Sequence, residues 1–225
     1  MSKRSAQVLL IVFLVLCFDQ VLKIWVKTHM EYGEEFTLLG FNWARIHFVE
    51  NEGMAFGLSL GNNLGKLALS VFRLVAVGFL IYIIYSLVKI KETFGVILSF
   101  SLILAGALGN ILDSAFYGLI FSPTPYHGGI ATMFPDGGGY APFLYGKVVD
   151  MLYFPMINTT LPSWLPVWGG QHFEFFRPVF NISDAAISSG VISLLLFNRR
   201  IFKSKPAETT VDETITVKPE DSVQP

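Results

Sequence analysis

Hydrophobic residues collect in four long runs along this chain, separated by polar, aromatic and glycine-rich connections. A helix needs ~20 predominantly apolar residues to cross the hydrocarbon core of a bilayer. Runs at about 6–26, 67–88, 94–119 and 179–197 meet that length and predict four transmembrane helices. Each run is marked by polar residues: Asp19, Gln20 and Lys23 in the first, Arg73 near the start of the second, Asn110 and Asp113 near the end of the third, and Asp184 near the start of the fourth. The connection over 27–66 contains Asn42–Val49, whose apolar–polar alternation predicts short strands. The connection over 120–177 is rich in Gly, Pro and aromatics, as in His127-Gly128-Gly129 and Asp136–Tyr140, and predicts a long loop with turns. Its Trp164 and Trp168 suit the membrane–water interface, where amphipathic rings prefer to sit. From about residue 204 the chain is rich in Thr, Glu, Asp and Pro without an apolar period, which predicts a disordered tail. The expected organisation is one integral membrane domain over 1–203 and a tail over 204–225.

Composition supports a membrane protein. The chain is 52% hydrophobic and 15% charged, against about 25% charged in soluble domains. A net charge of -1 gives no basis for nucleic-acid binding. The single cysteine, Cys17, lies in an apolar run with no histidine near it, which argues against a catalytic thiol. His29, His47, His127 and His172 are scattered and form no helical ligand pair, so neither a metal nor another cofactor is expected. Lys3 and Arg4 give the first run the look of a signal peptide. It lacks a small-residue cleavage site and continues past Asp19, so it is expected to be retained.

Basic residues set the orientation. Lys3 and Arg4, then Lys89 and Lys91, then Arg199, Arg200, Lys203 and Lys205 all fall on one side of a four-span chain. Both termini are therefore expected on the cytoplasmic side, with 27–66 and 120–177 outside. In that orientation Asp19, Lys23, Asn110, Asp113, Asn181 and Asp184 gather at the outer ends of their spans, with Asp150 in the outer loop. Ionisable residues inside a membrane are costly and mark functional sites.

Each also has an ordinary structural explanation. Asp19 and Lys23, four apart on one helix face, can form an ion pair. Asp113 can pin the third run to the first. Asn110 and Asp113, like Asn181 and Asp184, are three apart, so each Asn can bond near its Asp. Asp184 can cap its helix, and Asp150 can be a plain loop carboxylate. Two carboxylates sharing a low-dielectric site can divide one proton between them, the arrangement aspartic proteases use. The residues alone do not choose between Asp150 and Asp113 as the partner of Asp184.

Five motifs in order carry a family resemblance: Asp19-Gln20-x-x-Lys23, Asn51-x-Gly53-x-Ala55-Phe56-Gly57, Gly106-Ala107-x-Gly109-Asn110-x-x-Asp113, Val148-Val149-Asp150 and Phe180-Asn181-x-x-Asp184-x-x-Ile187-x-x-Gly190. In these the chain resembles the lipoprotein signal peptidases (signal peptidase II), bacterial membrane aspartic proteases. The resemblance implies four transmembrane helices, a small extracytoplasmic β-sheet (the cradle) and a helix-bearing periplasmic loop. It implies a catalytic pair at Asp150 and Asp184, with Asp19, Lys23, Asn51, Gly53, Asn110, Asp113 and Asn181 in binding or support. It further implies a monomer in the bacterial inner membrane, in contact with membrane lipids, that cleaves diacylglyceryl-modified prolipoproteins before the lipid-modified cysteine and is inhibited by globomycin. There are two departures. Ser114 follows Asp113 where the family commonly has Arg, so a cationic contact is missing or supplied elsewhere. The stretches from Gly118 to Val148 and from Asp150 to Phe180 are longer than usual.

Other classes compete. A proton-coupled carrier also uses intramembrane carboxylates, but here the polar residues share one depth and leave no pathway inward. A Ser/Lys hydrolase needs a serine beside its base, and no spacing of Ser114 with Lys147 or Lys23 provides one. A membrane scaffold would tolerate Asn at both Asp150 and Asp184.

Overall fold

The computed structural model describes residues 2–52 and 63–197. Gly53, Ala55, Phe56 and Gly57 lie outside the described residues, as do Arg199, Arg200, Lys203, Lys205 and the tail over 204–225. Helix α1 runs Lys3–His29, α2 Asn63–Lys89 and α3 Phe94–Leu112. A π-helical turn, Asp113–Tyr117, and the three-residue α4, Gly118–Ile120, continue the line of α3. Helix α5 runs Ile182–Phe197. Three helical stretches, Lys3–His29, Gly65–Lys89 and Phe94–Ile120, are long and apolar enough to cross a membrane, and α5 is a shorter apolar helix.

The ends of these helices follow local chemistry. Ser2 caps α1 by accepting from the Ser5 amide at 3.1 Å, so the helix starts ahead of its apolar run. The expected fourth segment, 179–197, begins too early. Val179–Phe180 form a strand, and the helix starts only at Ile182 because Asn181 caps it.

Helix α3 is central and packs against α1, α2 and α5. A Cβ at Gly106 would lie 2.1 Å from the Ser183 carbonyl oxygen, and one at Gly190 would lie 2.5 Å from that of Ser99. These two glycines let the α3 and α5 backbones meet, the small-residue contact by which membrane helices associate. Val77, Ile84, Ile97, Leu104, Ile111 and Leu194 fill the core between the helices. Phe13, Phe18, Phe72, Phe79, Ile192 and Leu196 are exposed. Apolar surface of this extent suits lipid and not water.

A four-stranded antiparallel sheet, in order β1-β2-β3-β6, covers one end of the helices. Its strands are β1 Glu35–Leu38, β2 Phe41–Asn51, β3 Val148–Tyr153 and β6 Val179–Phe180. β1 and β2 are joined through Leu39 and Gly40, both at positive φ (51° and 78°), the two-residue turn whose twist matches a hairpin. Along β2, Ala44, Ile46 and Phe48 are buried in alternation. Phe48 packs with Val26, Met30, Tyr117, Phe121, Val149 and Met151 in a second core that joins sheet to helix ends. A separate hairpin, β4 Ile157–Thr160 and β5 His172–Phe175, lies in the longer connection. Among the described residues of 121–181 there are strands and turns and no helix.

Candidate active site

Asp150 sits on β3, opposite Val49 of β2. Alternation along β3 sends Val149 and Met151 into the second core, which leaves Asp150 on the other face. It is buried, 4% exposed. Asn181 Nδ2 donates to its Oδ1 at 2.7 Å and Asn51 Nδ2 to its Oδ2 at 3.2 Å.

Asp184 lies in the first turn of α5 and is half-buried. The Asn181 side-chain oxygen accepts from the Asp184 amide at 2.9 Å, and Asp184 Oδ2 accepts from the Asn181 amide at 3.2 Å. This reciprocal pair is a capping box, built here from Asn and Asp. Capping therefore accounts for one oxygen of Asp184. The other, Oδ1, accepts from Asn110 Nδ2 at 2.8 Å. Asn181 touches both carboxylates, through its side chain to Asp150 and its backbone to Asp184.

Lys23 organises the next layer and is fully buried. It bonds Asp19 and Asp113 at 2.8 Å each and donates to Asn110 Oδ1 at 3.1 Å. Those contacts use all three ammonium hydrogens. With its oxygen held by Lys23, Asn110 must turn its amide toward Asp184. Asp113 also accepts from Gln20 Nε2 at 2.9 Å and from the Val149 amide at 3.3 Å. The last bond ties β3 to the end of α3 one residue before Asp150. Asp19 accepts from the Ser183 amide at 2.9 Å and so anchors α5 to α1.

Asn110 bonds Lys23 and Asp184 where a bond near Asp113 was expected, and a π-helical turn begins at Asp113. Turns of this kind gather at functional sites. Gln20, named in the first motif but given no role from the sequence, joins Asp19, Asp113, the Gly109 carbonyl and the Tyr117 hydroxyl. The sequence also gave no role to Arg73, whose Nη1 donates to Ser114 Oγ at 3.4 Å. The available signal was an arginine inside an apolar span.

Electrostatics separate the carboxylates. Asp19 and Asp113 share one lysine. For Asp150, burial and then the nearby Asp184 charge push its carboxyl up to about 7, outweighing the two amide donors and Lys23. A carboxyl that is half protonated near neutral pH, close to a second carboxylate, can act as acid and base in turn.

Comparison with known proteins decides the family. The model of Signal peptidase (SPase) II matches residues 11–199. The chain belongs to the signal peptidase II family. It is 50% identical over 214 residues to a lipoprotein signal peptidase of Porphyromonas gingivalis, covering 92% of each chain. It is 36% identical over 211 residues to a lipoprotein signal peptidase of Amoebophilus asiaticus, covering 92% of this chain and 84% of the relative. A solved bacterial membrane enzyme shares the fold at a TM-score of 0.55 with 22% identity, over 89% of this chain and 93% of that one. Members of the family are aspartic peptidases of the inner membrane that remove signal peptides from prolipoproteins, and this chain is one of them.

Proposed function

We propose that Asp150 and Asp184 are the catalytic pair, with the resting proton on Asp150. The carrying observation is the contact of Asn181 with both carboxylates, while Asp19 and Asp113 are committed to Lys23. Asp184, ionised and more open, takes a proton from a water between the two. The water attacks the scissile carbonyl. Asp150 protonates the carbonyl oxygen; as the tetrahedral intermediate collapses, Asp184 gives the proton it took to the leaving amine and Asp150 takes one back from the gem-diol, which restores the resting pair. Asn110 and Asn51 hold the two carboxyls in place and leave the space between them for the peptide. Asn110 Nδ2, with one hydrogen on Asp184, has a second to offer the developing oxyanion.

The sheet side of the molecule is the outer side. Lys3, Arg4, Lys89 and Lys91 lie at the opposite ends of α1, α2 and α3, which supports cytoplasmic termini and an active site at the outer leaflet. A diacylglyceryl chain kept in that leaflet brings the cleavage point to the depth of Asp150. Four spans, one membrane domain over 1–203, a helix-bearing periplasmic loop, a supporting role for Gly53, a monomeric state and inhibition by globomycin complete the reading.

Purified protein, incubated with a diacylglyceryl-modified prolipoprotein in H2(18)O, should yield a mature product starting at the lipid-modified cysteine. The released signal peptide should carry one heavy oxygen at its new carboxyl end. Cleavage elsewhere, or equal cleavage of the unmodified precursor, would refute this reading.

A further inference from the structure

Arg73 is half-buried on the apolar helix α2, where a guanidinium is costly unless something nearby repays it. Its Nη1 donates to Ser114 Oγ at 3.4 Å, and Ser114 Oγ donates in turn to the Asn110 carbonyl at 3.0 Å. Ser114 therefore gives the guanidinium an anchor one turn from the Asn110 that holds Asp184. Three carboxylates, Asp184, Asp113 and Asp150, lie within its electrostatic reach, Asp184 exerting the strongest pull.

The charges around the pair explain what a second cation does there. Asp19, Asp113 and Lys23 together carry one net negative charge. Asp150 and Asp184 holding one proton carry another. Without Arg73 the low-dielectric site holds two net negative charges, and its carboxylates would gain protons to reduce them. Lys23 acts on the pair only from a distance, because its three hydrogens are used by Asp19, Asp113 and Asn110.

We infer that Arg73 is a positioning residue for cleavage, a cation delivered by α2 through Ser114 that keeps one member of the Asp150–Asp184 pair ionised at working pH. The inference rests on that pair being catalytic. Its guanidinium acts through the carboxylates and takes no part in proton transfer. Moving the charge to the other end of the Arg73–Ser114 contact should preserve the effect.

The test is the pH profile of kcat/KM for diacylglyceryl-prolipoprotein cleavage by the purified full chain. Wild type, Arg73→Met, Arg73→Lys, the exchange Arg73→Ser with Ser114→Arg, and Asp150→Asn would be compared, with folding checked by thermal unfolding. Arg73→Met should move the whole bell upward by about one pH unit, in the lower part of the range for losing a cation beside a carboxylate, with the rate falling up to about tenfold on the acid limb and rising on the alkaline limb, and KM little changed. Arg73→Lys and the exchange should return the bell to its wild-type position. If Arg73→Met does not fold, Arg73→Gln, which keeps a donor to Ser114 without the charge, carries the same expectation. A bell lowered but not displaced in the neutral variants would overturn the inference and leave Arg73 a packing residue. Continued cleavage by Asp150→Asn would instead overturn the pair itself, whatever the Arg73 variants do.

Discussion

Asp150→Asn should stabilise the protein, and more so as pH rises. Burial and then the nearby Asp184 charge lift the Asp150 carboxyl from an ordinary 3.8 to about 7. Ionising it therefore costs more in the folded chain than in the unfolded one. The favourable side of this linkage is fully present below pH 3.8 and is lost as pH rises toward 7. At 1.36 kcal/mol per pKa unit the loss is about 1.5 kcal/mol at pH 5 and about 4 kcal/mol at pH 8.5. Asn removes the titration, so its advantage over Asp should grow by about 2.5 kcal/mol between those pH values. For a chain of this size that is roughly 5–10 °C in Tm. The assay is thermal unfolding of both proteins in one detergent at pH 5 and pH 8.5, with the difference between the two Tm values read at each pH. Loss of carboxyl contacts to Asn51 and Asn181 shifts both readings together and cancels in the comparison. A difference that does not change with pH would refute the perturbed carboxyl, and with it Asp150 as the resting proton carrier.

Lys23→Met should cost about 3–5 kcal/mol by leaving Asp19 and Asp113 buried without their cation; adding Asp19→Asn and Asp113→Asn should recover most of the loss in thermal unfolding. Asn181→Ala should lose about 1–2 kcal/mol with the cap of α5 and most cleavage activity with its contact to Asp150, read by denaturation and by product mass. Gly106→Val should separate α3 from α5, since even a Cβ there meets the Ser183 carbonyl oxygen at 2.1 Å, and should lower both Tm and activity.

The helices were legible because lipid-facing and core-facing positions are both apolar, so each span reads as a long run. The alternation of β2 was legible for a related reason, since Ala44, Ile46 and Phe48 face a core while their neighbours do not. A cap at the start of α5 was legible because capping is local, although Asn181 supplies it and Asp184, the residue expected to cap, returns the bond. What stayed hidden was non-local. Nothing in the spacing says that Asp113 is taken up by Lys23 and Gln20, or that Asn110 turns toward Asp184, 74 residues away. Those choices depend on how α1, α3 and α5 cross, which Gly106 and Gly190 permit without announcing. The same holds for Arg73 and Ser114, 41 residues apart and joined only in the fold. The extra length between Asp150 and Phe180 was visible, but its folding into the β4–β5 hairpin was not, because its strands are only four residues each.

The most direct test of the Asp150–Asp184 pair is cleavage of one diacylglyceryl-modified prolipoprotein by wild type, Asp150→Asn and Asp184→Asn, each folded in detergent, with mature product quantified by mass. Loss of product in both variants, with wild type active and blocked by globomycin, is the expected result. Processing by either Asn variant at a rate near wild type would contradict it.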